Sequence, residues 1–317
     1  MERDVIGTDF PTPTPPLKGR GLETRHVPLS TGVTLNVVVG GPPEAEPILF
    51  LHGFPESHRT WRHQLRDLSR DYFVVAPDQR GFAGSDKPEG VGNYETDKIV
   101  DDVTALADAL GLESFTLVGH DWGGAAAWLA ALTHPYRVKR LVIVNAPHPY
   151  VFQKSLIEDE AQRAASQYIR AFRSPAMETA IRAMGLETFL DKVLLAHADA
   201  SKLEPEERQA YLDDWAQEGA LTAMLNWYRA SKVEVPAVGE EAKAPLWMHA
   251  PFPHLKMPTL VLWGLKDSAL LPVQLEGLHG LVEDLRILTS ATASHFVTWE
   301  EPEFVTGAIR DFMAETA

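Results

Sequence analysis

The stretch "LVGHDWGGAAAW", residues 117–128, decides how this chain is built. Apolar residues run up to His120, a turn bounded by Gly119, Gly123 and Gly124 follows, and an alanine-rich helix starts at once. A strand that turns so abruptly into a helix lifts its central side chain off the sheet's edge, as in G-x-S-x-G nucleophile turns. The central residue here is Asp121 and not serine. Aspartate also serves as a helix N-cap, but the glycines and a later acid and base favour a nucleophile.

The exchange of serine for aspartate changes the chemistry. A serine needs a base, whereas a carboxylate with a pKa of ~3.9 is already ionised at neutral pH. Attack on an amide or ester would give an unstable anhydride. Attack on a saturated carbon gives an alkyl ester, which water must then break with the help of a His–Asp pair. Asp121 therefore points to an electrophilic sp³ carbon.

Outward from this turn, short β-branched runs alternate with helical patterns. The candidate strands are "RHVPLS", "TLNVVV", "PILFLHG", "YFVVAPD", "FTLVGHD", "RLVIVNAP", "TLVLWG" and "LRILT". The alternation predicts an α/β fold, a mostly parallel sheet with helices on both faces. The first two runs predict an antiparallel edge hairpin. A helix is expected over 97–110, with Ile99, Val103, Leu106 and Leu110 on one stripe and Gly111 as its stop.

After "VIVNAP" the strands cease. From 148 to 250 only helical patterns appear, among them "EDEAQRAASQYIRAF" and "EGALTAMLNWYRAS", with "VEVPAVGEEAKAP" as a loop. This predicts a core of 1–147 and 251–317 with a helical cap of 148–250 over the sheet's active edge.

Composition narrows the remaining classes. The chain has 317 residues, 45% hydrophobic, no cysteine and a net charge of −15. Disulfide and thiolate chemistry are excluded, and the charge argues against nucleic acid or an anionic membrane as partner. No apolar run of about 18 residues suggests a spanning helix. The first twenty residues lack a signal-peptide core and carry "PTPTPP", an expected extended arm. A cytoplasmic location is expected, and monomer or homodimer is left open.

The base and acid come later in the chain. His295, in "ATASHFVTWEEP", follows the last strand, and Asp267, in "LWGLKDSALLP", follows the strand before it. This is the order nucleophile, acid, base, and Asp267 can orient the imidazole and support its charged form. "LHGFPES" follows the third strand, where such sheets supply one oxyanion donor. The backbone N–H groups of Phe54 and Trp122 are assigned to that role, and both side chains to the substrate pocket. His52 and Pro55 are read as shaping the loop.

Together "HGFPES", "GHDWGG", "WGLKD" and "SHF" resemble the α/β-hydrolase superfamily and, within it, the epoxide hydrolases, in order and spacing from about Leu22 onward. "PDQRGFAGSDKP" resembles the family's D-x-R-G-x-G-x-S segment, with Ala83 where glycine is usual. The resemblance implies two cap tyrosines donating to an epoxide oxygen, and "SQYIRAF" and "LNWYRAS" put Tyr168 and Tyr228 there. Helical spacing sets Tyr168 on a stripe with Ala164, Ala165 and Phe172, and Tyr228 on one with Leu221 and Leu225. Tyr150 and Tyr211 are the alternatives to Tyr168.

The expected activity is conversion of an alkyl or aryl epoxide to a vicinal diol through an Asp121 ester, with water and no cofactor or metal. The rival is a haloalkane or haloacetate dehalogenase using the same nucleophile. Haloalkane dehalogenases carry Asn or Glu where Phe54 stands, and haloacetate dehalogenases place arginines near the nucleophile. Neither accounts for both tyrosines.

Overall fold

The computed structural model describes residues 21–316; the arm expected at 11–16 lies outside the described residues. Eight strands form one sheet: β1 (Glu23–Pro28), β2 (Thr34–Gly40), β3 (Pro47–Leu51), β4 (Phe73–Pro77), β5 (Phe115–His120), β6 (Val138–Val144), β7 (Thr259–Gly264) and β8 (Leu285–Ser290). Their spatial order is β1-β2-β4-β3-β5-β6-β7-β8. The β1–β2 and β2–β4 pairs are antiparallel and every other pair is parallel. The edge hairpin and the mixed but mainly parallel sheet are as the sequence predicts.

The central strands are apolar on both sides because both faces are covered. Leu49, Leu51, Leu117, Leu141, Ile143 and Val261 face one core. Ile48, Phe50, Val118, Val142, Val144 and Leu260 face the other. The second core is closed by α1 (Arg62–Leu68), α11 (Val297–Glu300) and α12 (Pro302–Glu315). The first is closed by α2 (Thr96–Ala109), α3 (Asp121–Thr133) and helices lying between β6 and β7. Helix α2 buries Ile99, Val103 and Leu106 as the stripe requires.

Seven of those helices separate β6 from β7: α4 (Pro149–Glu158), α5 (Glu160–Ala165), α6 (Gln167–Arg173), α7 (Ala176–Met184), α8 (Leu186–Val193), α9 (Pro205–Ala216) and α10 (Ala220–Ala230). They are fixed to the loops at the sheet's edge by side-chain donors. Trp215 Nε1 donates to the Pro55 carbonyl at 2.7 Å, and Trp227 Nε1 to the Arg80 carbonyl at 3.0 Å. Arg59 meets Glu207 at 3.2 Å across the same junction.

One helical expectation fails. The stretch 158–172 is not continuous: Asp159, at φ −109°, ψ 112°, separates α4 from α5, and Ser166, at φ −90°, ψ 5°, separates α5 from α6. The buried face of this stretch consists of Gln162, Arg163, Ser166, Ile169 and Phe172, while Ala164 is exposed. Tyr168 therefore shares its side with Phe172 and not with Ala164. The physical reason is that Gln162 spends its amide inward, donating to the Ala269 carbonyl and accepting from Leu271 N–H, at 2.9 and 2.8 Å. Ala83 stands at φ 39°, in the left-handed region that glycine tolerates best. Among the described residues, no helix is long and apolar enough to cross a membrane.

Packing is close under α3. A Cβ on Gly123 would stand 2.3 Å from the Leu51 carbonyl oxygen and 2.4 Å from that of His52. Both are backbone atoms of β3 and its loop and cannot rotate away. We expect Gly123→Ala to lower stability in urea unfolding by about 1–3 kcal/mol. Gly307→Ala, in α12 where a Cβ meets nothing within 4 Å, should instead be neutral or raise it by about 0.5–1 kcal/mol.

Candidate active site

Asp121 is the first residue of α3, and its backbone sits at φ 49°. His120 is the residue that precedes the helix, and no side chain caps it. The Asp121 carboxylate is thus not consumed in capping. Its Oδ1 accepts a hydrogen bond from Phe54 N–H at 2.7 Å, and its Oδ2 lies 3.6 Å from His295 Nε2. Trp122 is the second residue of α3, so its N–H belongs to the first helical turn, whose amides have no intrahelical partner.

His295 and Asp267 meet at 2.7 Å through Nδ1 and Oδ2. Asp267 is in turn held by four donors: Ala269 N–H (2.9 Å), Leu270 N–H (2.8 Å), Asn145 Nδ2 (2.8 Å) and the imidazole. Asn145 occupies φ 40°, and its Oδ1 accepts from Gly264 N–H at 2.8 Å. Asparagine tolerates this conformation better than most residues, so one side chain ties the ends of β6 and β7 to the acid. The sequence reading missed Asn145, although "VIVNAP" placed it at a strand end.

The electrostatics follow from three buried charges in a row. Burial alone would push the His295 imidazole down, yet the Asp267 charge, followed by Asp121, holds it well above the usual histidine range. Burial would raise the Asp267 carboxyl, but the His295 charge, the hydrogen bond to it and the amide donors keep it low. Asp121 is likewise held low against burial by the His295 contact and charge, by His120 and by the Phe54 amide.

Tyr168 and Tyr228 stand across from Asp121. Their ring centroids are 6.1 Å apart, and Tyr228 packs edge-on against Trp122 and Phe54 at 5.1 and 4.9 Å. Burial, then the Asp121 and Asp267 charges, push the Tyr168 phenol far up; burial, then Tyr168 and Asp121, do the same to Tyr228. Both remain protonated donors at any working pH. The alternatives are engaged elsewhere: Tyr211 OH donates to Glu56 at 3.1 Å, and Tyr150 packs among Trp247 and Phe252.

Two cavities meet at this group. One of about 260 Å³ is lined by Ile99, Trp122, Leu129, Phe152, Trp247 and Leu270 among others. The second, about 90 Å³, is lined by Phe54, Phe172, Val193, His197, Ala269 and His295 among others. Asp121, Tyr168 and Tyr228 bound both. Beneath the site, Glu56 accepts from Trp299 Nε1 at 3.0 Å and lies 3.3 Å from His120 Nδ1, while His120 Nε2 meets the His295 carbonyl at 2.9 Å. "HGFPES" contained Glu56, but its partners come from three distant segments that spacing alone does not assemble. His52 is committed to the loop, accepting from Gln79 N–H through Nε2 at 2.9 Å.

Comparison with known proteins agrees with this architecture. The family model described as alpha/beta hydrolase fold matches residues 46–302. The chain therefore belongs to the α/β-hydrolase fold family. Epoxide hydrolase 3 of Xenopus tropicalis is 32% identical over 90% of this chain and 76% of its own. A solved structure from work on novel epoxide hydrolases in metagenomes from hot environments is 47% identical, with a TM-score of 0.87 over 92% of this chain and 99% of its own. The Bacillus megaterium epoxide hydrolase in complex with an inhibitor is 31% identical, with a TM-score of 0.81 over 92% of this chain and all (100%) of its own. Within the fold family, the chain is a member of the epoxide hydrolases.

Because two carboxylates support one imidazolium, removing either charge must lower the His295 pKa. We expect Asp267→Asn to lower it more than Asp121→Asn, since Asp267 is the stronger support. Histidine NMR titration of the two variants checks the order; an imidazole unmoved in both would contradict the charge row.

Proposed function

We propose that this protein hydrolyses an alkyl or aryl epoxide to a vicinal diol through an ester on Asp121. The observation that carries the reading is one ionised carboxylate facing two buried, protonated phenols across a shared apolar cavity. Membership of the epoxide hydrolases supports it. The helices at 148–250 act as a cap over the core formed by 1–147 and 251–317.

In the first step Asp121 Oδ2 attacks a ring carbon, since Oδ1 is held by the Phe54 amide. The ring C–O bond breaks, and its oxygen takes the electron pair and a proton from Tyr168 or Tyr228. Forming the ester removes the Asp121 charge. His295 thereby loses one of its two supports, its pKa falls, and the proton it gives up restores the phenol, leaving a neutral imidazole to act as base.

In the second step a water oxygen attacks the Asp121 carbonyl carbon and passes a proton to His295 Nε2. The Phe54 and Trp122 N–H groups bind the oxyanion, a contribution of about 10²–10³ in rate for each such donor. The ester C–O bond breaks, and the departing alkoxide takes the His295 proton. The second hydrogen of the water, left on the regenerated Asp121 carboxyl, passes to His295 and restores the resting charges. Epoxide and water are consumed and diol is formed, with an enzyme oxygen carried into the first diol.

The larger cavity sets the substrate's bulk. Its outer end is Trp247, which is 45% exposed and packs on Tyr150 and Phe252, each at 6.2 Å between centroids. We expect Trp247→Ala to raise kcat/KM for epoxides with a long apolar arm relative to styrene oxide. Steady-state kinetics on a chain-length series reads this ratio, and an unchanged ratio would remove Trp247 from the substrate path.

The decisive experiment is intact mass on His295→Gln soaked separately with styrene oxide and 1-bromobutane. We expect a hydroxyalkyl adduct from the epoxide, mapped to the Asp121 peptide. A butyl adduct alone would turn the reading to a dehalogenase. Diol formed by the wild type with all its oxygen from solvent or epoxide, in a single turnover in labelled water, would exclude the ester.

A further inference from the structure

Two residues of the helical stretch, His197 and Asp199, touch the loops that carry the base and its acid. The His197 carbonyl accepts from His295 N–H at 3.2 Å. The His197 Nδ1 meets Ser268 Oγ, next to Asp267, at 2.8 Å. The Asp199 N–H donates to Glu300 Oε1 at 2.7 Å. Glu300 is 5% exposed, and among the described residues its other side-chain hydrogen bonds come from Ser294, the residue before His295: Ser294 Oγ at 2.6 Å and Ser294 N–H at 3.0 Å.

A buried carboxylate that accepts only from two segments joins them rigidly, because every donor it loses leaves an unpaired charge. One of those segments is 197–199, between α8 and α9; the other ends in the base. We propose that Glu300 and the 197–199 backbone form a latch that positions His295 for the water attack on the Asp121 ester. This inference rests on the ester reading above. Glu300 touches no reacting atom and is a positioning residue.

The latch is needed unequally in the two steps. Ring opening uses Asp121, Tyr168 and Tyr228, none of which bonds to Glu300 or to 197–199 among the hydrogen bonds described above. Ester hydrolysis requires His295 Nε2 to reach a water poised at the Asp121 carbonyl carbon, and a small displacement of the ring spoils that line. Loss of the latch should therefore slow hydrolysis and spare alkylation, a division that general loosening of the fold would not produce.

The backbone offers a clean way to remove one donor. Asp199 stands at φ −75° and Ala198 before it at φ −145°, ψ 162°. Proline fits the first, and an extended residue fits before proline. Asp199→Pro deletes the N–H, together with the side chain's contacts to Ser201. Asp199→Ala deletes only those contacts. Glu300→Gln keeps the shape but sets an amide N–H₂ or a weaker acceptor against the Ser294 donors.

The test is rapid-quench intact mass in single turnover with styrene oxide, with unfolding temperature measured alongside. We expect Asp199→Pro and Glu300→Gln to form the hydroxyalkyl ester within about twofold of the wild-type rate and to hydrolyse it about tenfold more slowly. Asp199→Ala should follow the wild type in both. Equal loss of both steps in step with unfolding temperature would overturn the latch, as would unchanged hydrolysis in Asp199→Pro and Glu300→Gln. Absence of any ester in His295→Gln, with diol still made by the wild type, would overturn the ester reading itself and this inference with it.

Discussion

Asp121 holds a left-handed backbone at φ 49° on a turn wedged between β3 and the start of α3. A Cβ on Gly53 would stand 2.4 Å from the Asp121 Cβ, and one on Gly123 2.3 Å from a β3 carbonyl. The conformation is costly for a residue with a side chain, and the close-packed surroundings hold it in place. The outcome is a carboxylate on a sheet edge with one oxygen pinned by Phe54 and the other facing His295. Every other group in the site takes its position relative to those two oxygens.

The second constraint is charge. Two carboxylates and one imidazolium share a buried space, so the row carries one net negative charge. A third buried carboxylate, Glu56, is kept apart from them and matched to Tyr211, Trp299 and His120. The phenols of Tyr168 and Tyr228 feel the net negative field and hold their protons more tightly. Any reaction that cancels the charge of Asp121 relaxes both effects together: the imidazole is freed to act as a base and the phenols become better acids. Geometry and charge thus favour an alternation between two protonation patterns on the same few side chains.

Much of this was legible in the chain and some was not. The central strands could be read because burial on both faces leaves runs such as "VIV" and "LVLW" with almost no polar residue. The elbow could be read because Gly119 is required by Gly123 and Gly124 within its own turn, although the contacts that require Gly123 come from Leu51 and His52. The break at Ser166 could not, since Gln162, Arg163 and Ser166 look like a solvated face, while Gln162 and Arg163 turn inward to bond backbone groups and Ser166 Oγ accepts from Gln162 Nε2. Asn145 and Glu56 were hidden for another reason. Their partners lie up to 243 positions away in sequence, so only the folded sheet brings them together. The choice between Tyr168 and Tyr150 depends on a helical phase that the same break resets.

The helical stretch is attached to the core in part through main-chain acceptors. Trp215 and Trp227 reach the carbonyl oxygens of Pro55 and Arg80, and Arg173 within the stretch likewise satisfies the carbonyls of Tyr228, Ser231 and Val233. A carbonyl is present whatever residue bears it. At Pro55 and Arg80 the loops beneath can therefore exchange side chains without losing those two bonds, provided the backbone path is kept. A joint of that kind tolerates divergence on its carbonyl side, because the tryptophans select a backbone path and not a side chain.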